Sequence, residues 1–251
     1  MAKHRRSWNE TTFRRYLRNG RGQGELSNYK PWIRIQDFPS QGTVTRISGY
    51  KTGRVHHFMS RCETAFFYLL EWSDSVLDIR EQYPLLNLEL AVQIANESGI
   101  RYPRDNKSNF PYVLTCDFMI STEAGLKART VKQSAELNRV RTLEKLEIER
   151  NYWRTLGIDW KVVTEAEIPF SKTDKLQWIY TTHIAPDVPW VEEIMTDVED
   201  EWIGRDAQIL DVASWIEAHY KTSRGHGLQI VRHMLRTKRL PLDAIFFSTG
   251  R

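Results

Sequence analysis

Two apolar runs flanking a short turn, residues 111–132 (PYVLTCDFMISTEAGLKARTVK), constrain this chain more than any other stretch. Residues 112–120 are rich in β-branched and aromatic side chains, 121–125 carry turn chemistry, and 127–132 alternate again, so the stretch predicts a β-hairpin. One acid interrupts the first strand. Asp117 stands among Val113, Leu114, Cys116, Phe118, Met119 and Ile120, where a carboxylate without a partner would lose its hydration for nothing in return. It needs a cation. With the turn centred between Glu123 and Ala124, Asp117 falls opposite Thr130, and Lys132 projects on the same face two residues on. Two readings of this convergence stay open: a cross-strand ion pair of the kind common on antiparallel sheets, or a metal carboxylate beside a lysine, the pair that phosphodiester hydrolysis uses.

The rest of the chain frames that hairpin. Residues 1–59 combine a short helix over Glu10–Arg18, the loop Gly20-Arg21-Gly22-Gln23-Gly24, and strand-like pieces near 32–35 and 43–47. The glycine run has neither the preceding strand nor the following Lys-Ser/Thr of a phosphate-binding loop. A helix is predicted over Arg61–Trp72, with Phe66, Leu69, Leu70 and Trp72 on its apolar face. Glu63 near its start is either the third position of a capping box opened by Ser60 or a ligand brought up to the hairpin. A strand over Val76–Pro84 and a polar connection over 96–109 lead into the hairpin. A long helix follows over 136–152, with Leu137, Val140, Leu143, Leu146 and Trp153 at helical spacing; Gly157 ends it, 160–163 reads as a strand, and Thr164 caps a further turn.

Beyond 170 the pattern is helical, over 172–180, 189–202, 207–220 and 228–236. The last helices, the turn 221–227, the cations Arg232, Arg236, Lys238 and Arg239, and the segment 242–248 suggest a helix-turn-helix with a short wing. A helical protein-interaction domain with a basic face is the alternative, because the acidic stretch 192–201 would repel DNA.

Charge adds a direction. Residues 1–60 hold twelve Lys or Arg against Glu10, Glu25 and Asp37, whereas the remainder holds 24 basic against 29 acidic residues. A basic segment interleaved with Trp8, Tyr16, Tyr29 and Trp32 suits a nucleic-acid backbone, and equally describes a solvated surface. No apolar run approaches a membrane span, and the opening residues lack the apolar core of a signal peptide. Cys62 and Cys116 and the seven scattered His show no zinc-ligand spacing, which points to a reduced cytoplasm and away from zinc-dependent and HNH chemistry.

The Asp117 to Lys132 spacing, closed by Thr130-Val131-Lys132, is similar to the hairpin of the PD-(D/E)xK nucleases. The Gly20–Gly24 loop resembles the TnsA family, the endonuclease subunits of heteromeric cut-and-paste transposases, and so do Lys51-Thr52-Gly53-Arg54-Val55-His56-His57, Leu70-Glu71-Trp72 and the run from Val76 to Gln82. Asp117-Phe118 and the run from Arg141 to Glu147 extend the likeness, which covers roughly residues 1–180. The resemblance implies an α/β fold: a restriction-endonuclease-like αβββαβ core with a mixed sheet in an endonuclease domain over 1–169 (basic segment 1–59, core 60–169). A mostly helical, winged-helix-like domain over 170–251, for partner or DNA contacts, follows it.

The same resemblance implies an active site of Glu63, Asp117 and Lys132, with Glu149 nearby, and metal ligation by Glu63, Asp117 and the backbone carbonyl of Thr130 or Val131. The metal expected is Mg2+, with Mn2+ able to substitute. Two positions depart from the family: Thr130 stands where the general motif has a carboxylate and this family an amide, and Cys116 replaces the Pro before the acid. The implied activity is hydrolysis of the 5′, non-transferred strands at transposon ends. The implied partners are transposon-end DNA, a DDE-type transposase that cuts and joins the 3′ ends, and an AAA+ ATPase regulator, all in the bacterial cytoplasm at the nucleoid. Candidate DNA contacts are Arg5, Arg6, Arg14, Arg15, Arg232 and Arg236. A stand-alone restriction or repair nuclease and a catalytically silent assembly factor are the alternatives.

Overall fold

The structure, a computed structural model, describes residues 8–37, 44–180, 188, 190–203, 205 and 207–242, and the backbone of 245–246. The chain divides into two compact units, Met1–Phe170 and Ser171–Arg251.

In the first unit Asn9 caps α1 (Glu10–Arg18) by accepting from Thr12 N. A hairpin of β1 (Thr45–Ser48) and β2 (Val55–Phe58) then leads into α2 (Arg61–Trp72), which Ser60 caps by accepting from Glu63 N. The strand expected near 32–35 is absent. The Asp37 carboxylate accepts from Arg34 N at 2.9 Å, and a single turn of 3-10 helix forms over Ile35–Asp37 instead of a ladder.

The central sheet follows: β3 (Val76–Pro84), β4 (Thr115–Thr122), β5 (Gly125–Val131) and β6 (Asp159–Val163), in that spatial order. The first two pairings are antiparallel and the last is parallel, so the sheet is mixed. Two helices occupy its connections. α3 (Leu88–Glu97) takes up the first part of the link between β3 and β4, ahead of the polar connection that the sequence suggests from 96. Asn87 caps it by accepting from Leu90 N, and its Ala91, Ile94 and Ala95 are buried. α4 (Val140–Thr155) starts four residues later than expected, after a 3-10 turn over Ser134–Asn138. Its buried stripe is Leu146, Ile148, Glu149, Tyr152 and Trp153, while Val140 and Leu143 face outward.

The sheet is thereby covered on both sides. Met119, Cys116 and Ala128 pack with α3 and α4 through Ile94, Ile148 and Trp153. Phe118 meets Phe58 and Phe66 on the other face, at centroid separations of 5.8 and 5.4 Å. Phe58, Phe67 and Phe118 are fully buried, each stabilising the layer by roughly 1.5–3 kcal/mol. The order α2, β3, β4, β5, α4, β6 is the expected αβββαβ core.

The second unit contains α5 (Phe170–Tyr180, from its second residue on), α6 (Val191–Trp202), β7 (Ala207–Gln208), α7 (Ile209–His219), α8 (His226–Arg236) and β8 (Ile245–Phe246). It is mostly helical, and β7 pairs in parallel with β8. The rest of the expected wing lies outside the described residues. Among those residues no helix is long and apolar enough to cross a membrane.

Candidate active site

The hairpin aligns as its sequence predicts. Phe118 pairs with Arg129, which puts Asp117 opposite Thr130. Asp117 is buried, and its Oδ2 accepts from Val131 N at 2.7 Å and from Lys132 Nζ at 3.0 Å. The ammonium also donates to Val131 O at 2.8 Å. Burial works against the Lys132 charge, but Asp117 and Glu149 more than offset it and hold the amine above its ordinary range.

Glu63 bonds the residues that open α2 and lies within electrostatic reach of Asp117. Its carboxylate accepts from Met59 N at 3.1 Å and from Ser60 Oγ at 2.9 Å, which steadies the start of α2 one residue ahead of the N-cap amide that a capping box uses. It is also buried close enough to Asp117 to feel that charge: burial first, and Asp117 second, push its carboxyl up to about 7.

Glu149 reaches the same cluster from α4. Its Oε2 accepts from Thr130 Oγ1 at 2.6 Å, the Thr130 hydroxyl in turn accepts from Trp160 Nε1 at 3.2 Å, and burial pushes the Glu149 carboxyl up to about 7. The Thr130 side chain is therefore engaged with Glu149 and Trp160. The backbone oxygen that meets the Lys132 ammonium is that of Val131.

Among the described residues no group of three or more His, Cys, Asp or Glu is arranged to hold a metal ion. The oxygens that are present nevertheless fit a hard divalent cation. The Asp117 charge disfavours ionisation of Glu63, and the Lys132 ammonium, bridging Asp117 Oδ2 and Val131 O, is a cation on two of the expected ligand atoms. Glu63, Asp117 and Val131 O are the residues that could hold one.

The candidate DNA contacts separate. Arg5 and Arg6 lie outside the described residues. Arg14 is exposed and paired with Glu10, and Arg15 rests against the Tyr16 ring. Arg232 stacks over Trp178 at 4.2 Å from the ring centre. Arg236 does not fit the expectation: it is 8% exposed and bonded to His233 Nδ1, because it lies on the stripe of α8 that also buries Ile230, Met234 and Leu235.

Sequence reasoning missed Trp160 and Gln82. The Gln82 side chain donates from Nε2 to Asp117 Oδ1 at 3.4 Å and accepts from Thr115 Oγ1 at 3.2 Å. Its signal was available, as an amide at the strand position that pairs across to the buried acid.

Comparison with known proteins bears on the family of the chain. The family model described as "TnsA-like endonuclease N terminal" matches residues 73–165, a span that includes Gln82, Asp117, Thr130, Lys132, Glu149 and Trp160 and stops short of Glu63. The transposon Tn7 transposition protein TnsA of Escherichia coli is 36% identical over 242 residues, covering 92% of this chain and 85% of that relative. With that identity over nearly its whole length, the chain belongs to the TnsA-like endonucleases of transposition.

Proposed function

We propose that this nuclease hydrolyses the 5′, non-transferred strands at transposon ends, with Glu63, Asp117 and Lys132 as its catalytic set, Glu149 supporting them, and magnesium as its cation. A DDE-type transposase cuts and joins the 3′ ends in the same complex, an AAA+ ATPase regulates it, and the reaction takes place in the bacterial cytoplasm. The observation that supports this reading is the Lys132 ammonium bonded at once to Asp117 Oδ2 and Val131 O, with the Glu63 carboxyl within electrostatic reach.

Each side chain then has a distinct task. Magnesium, when bound, supplies positive charge at the scissile phosphate and a water of lowered pKa. Glu63 and Asp117 would hold it as carboxylates, its charge opposing the burial and the Asp117 repulsion that raise the Glu63 carboxyl. Lys132 stays protonated because Asp117 and Glu149 flank it, so it acts as a hydrogen-bond donor and counter-charge to the phosphate rather than as a base. Glu149 is buried away from solvent; it anchors Thr130 and keeps the lysine charged. Arg14 and Arg15 on α1 supply phosphate contacts outside the chemistry.

Strand-resolved cleavage of transposon-end DNA by the chain with its partner transposase tests the assignment. In magnesium, 5′-strand nicks should appear and should vanish with a chelator. Nicks confined to the 3′ strands, or 5′ nicks that persist in chelator, would overturn it.

A further inference from the structure

Gln82 lies in β3, yet its φ is +49°, a left-handed conformation that a non-glycine residue rarely adopts inside a strand. The pairing register on either side, Glu81 with Phe118 and Tyr83 with Cys116, sets it opposite Asp117. The turned backbone points its carbonyl away from the sheet, where it accepts from Trp32 N at 3.3 Å. Segment 26–32 is pinned along the same strand: Leu26 N donates to Asp78 Oδ2 and Tyr29 Oη donates to Glu81 O at 3.0 Å.

The amide orientation is determined by its neighbours. Asp117 Oδ1 is only an acceptor, so the Gln82 NH2 faces it, and the Thr115 hydroxyl accordingly donates to Gln82 Oε1. Asp117 Oδ2 is already committed to Val131 N and Lys132. Oδ1 is the remaining oxygen of this carboxylate, and Gln82 is the described residue that bonds it. Gln82 is 4% exposed, so this contact forms out of reach of bulk water. Backbone strain of this kind persists only where the surroundings impose it, and here the surroundings are the N-terminal segment on one side and the carboxylate on the other.

We propose that Gln82 is a positioning residue for the nuclease reaction: held in a strained backbone conformation by the Trp32 amide, it grips Oδ1 and so fixes the rotation of the Asp117 carboxylate that would hold the cation. The proposal rests on the cation site described above. Groups that orient a ligand from behind typically change metal affinity or activity by about 10–100-fold when removed.

Gln82→Gly relieves the backbone strain and removes the amide, whereas Gln82→Met keeps the length and bulk of the side chain and removes only its hydrogen bonds. The full chain and both variants would be titrated with Mn2+ by calorimetry, their thermal melts recorded, and 5′-strand cleavage measured with the partner transposase. Both variants should bind Mn2+ about 10–100-fold more weakly than the parent and cut correspondingly more slowly at sub-saturating metal, with recovery at high Mn2+. A side chain that merely fills space would leave the Mn2+ affinity of Gln82→Met at the parental value, and that result overturns the proposal. Parental affinity in Gln82→Gly overturns it as well. If the parent itself neither binds Mn2+ nor cuts, the cation site fails and the proposal with it; if the parent binds and the variants match it, only the role of Gln82 fails.

Discussion

At Glu63 one carboxyl group bonds the start of α2 and, in the proposed site, would hold the cation, and pH separates the two. Burial and the Asp117 charge raise it to about 7, above the value of an unfolded chain. A carboxyl raised in the folded state contributes stability that is complete below about pH 4.3 and is lost as pH rises through 7. Glu149 and Glu71 shift the same way, whereas His56 and His57, lowered by burial, act in the opposite sense. Comparing parent and Glu63→Gln in chelator cancels those other groups. Glutamine keeps an oxygen for Met59 N and carries no charge, so the variant should gain on the order of 1 kcal/mol over the parent at pH 8, with the gain shrinking towards pH 5. Cleavage in magnesium should fall by orders of magnitude. A variant that melts like the parent at both pH values and cuts at the parental rate would leave Glu63 a cap and nothing more. Asp117 responds differently, because its loss strands Val131 N and Lys132: Asp117→Ala should cost about 2–4 kcal/mol, and Asp117→Asn less, since its amide oxygen can still accept from Val131 N. In a reconstituted reaction both should abolish 5′ cutting while 3′ joining continues, giving cointegrates in place of simple insertions; normal insertions from either variant would sink the site.

At the scale of elements, the second unit holds a close approach that a single methyl group tests. Gly227, in the first turn of α8, lies so close to α7 that an added Cβ would sit 2.1 Å from Ala213 O. The two helices would have to part, so Gly227→Ala should destabilise by about 1–3 kcal/mol even though alanine is the better helix former. Chemical denaturation of the full chain measures it, and a neutral or stabilising result would mean that the helices can shift freely. This close approach was invisible in the sequence, because it arises from how two helices meet. The elements carrying strong local signals were legible: the Ser60 cap and apolar spacing give α2, β-branched residues give β3, and the turn between Glu123 and Ala124 gives the register that joins Asp117 to Lys132. α3 was missed because apolar residues fill most of Leu88 to Ala95, and the buried stripe of Ala91, Ile94 and Ala95 does not stand out from that run. The start and buried face of α4 were misread because Leu137, Val140 and Leu143 suggested a longer stripe than the sheet covers. The amide of Gln82 opposite the acid was readable, but its strained backbone was out of reach for a related reason, since that conformation depends on Trp32, fifty residues away.

At the scale of the whole molecule, the basic N-terminal region is both cationic and structural. α1 exposes Arg14 and Arg18, while Trp8, Phe13 and Tyr16 pack with Trp32 and Phe110 in an aromatic cluster, and Trp8 Nε1 donates to Pro111 O at 2.8 Å, next to the hairpin. The glycine loop ties this region together: Arg21 stacks over Tyr16, bonds Trp32 O at 2.9 Å and pairs with Asp37. Deleting residues 1–18 would therefore remove cations and core together, and weaker DNA binding would follow from either loss. Separate substitutions divide the two. Arg14→Gln with Arg18→Gln leaves the aromatic face intact and should lower the slope of log affinity against log salt by about 0.9 for each phosphate no longer neutralised, with little change in melting. Trp8→Ala should do the reverse, costing about 2–3 kcal/mol of stability through the cavity it opens while leaving the slope unchanged at temperatures where the chain stays folded. An unchanged slope in the arginine pair would mean that the charge of α1 is only solvated surface, and that DNA is held by cations elsewhere on the chain or by the partner transposase.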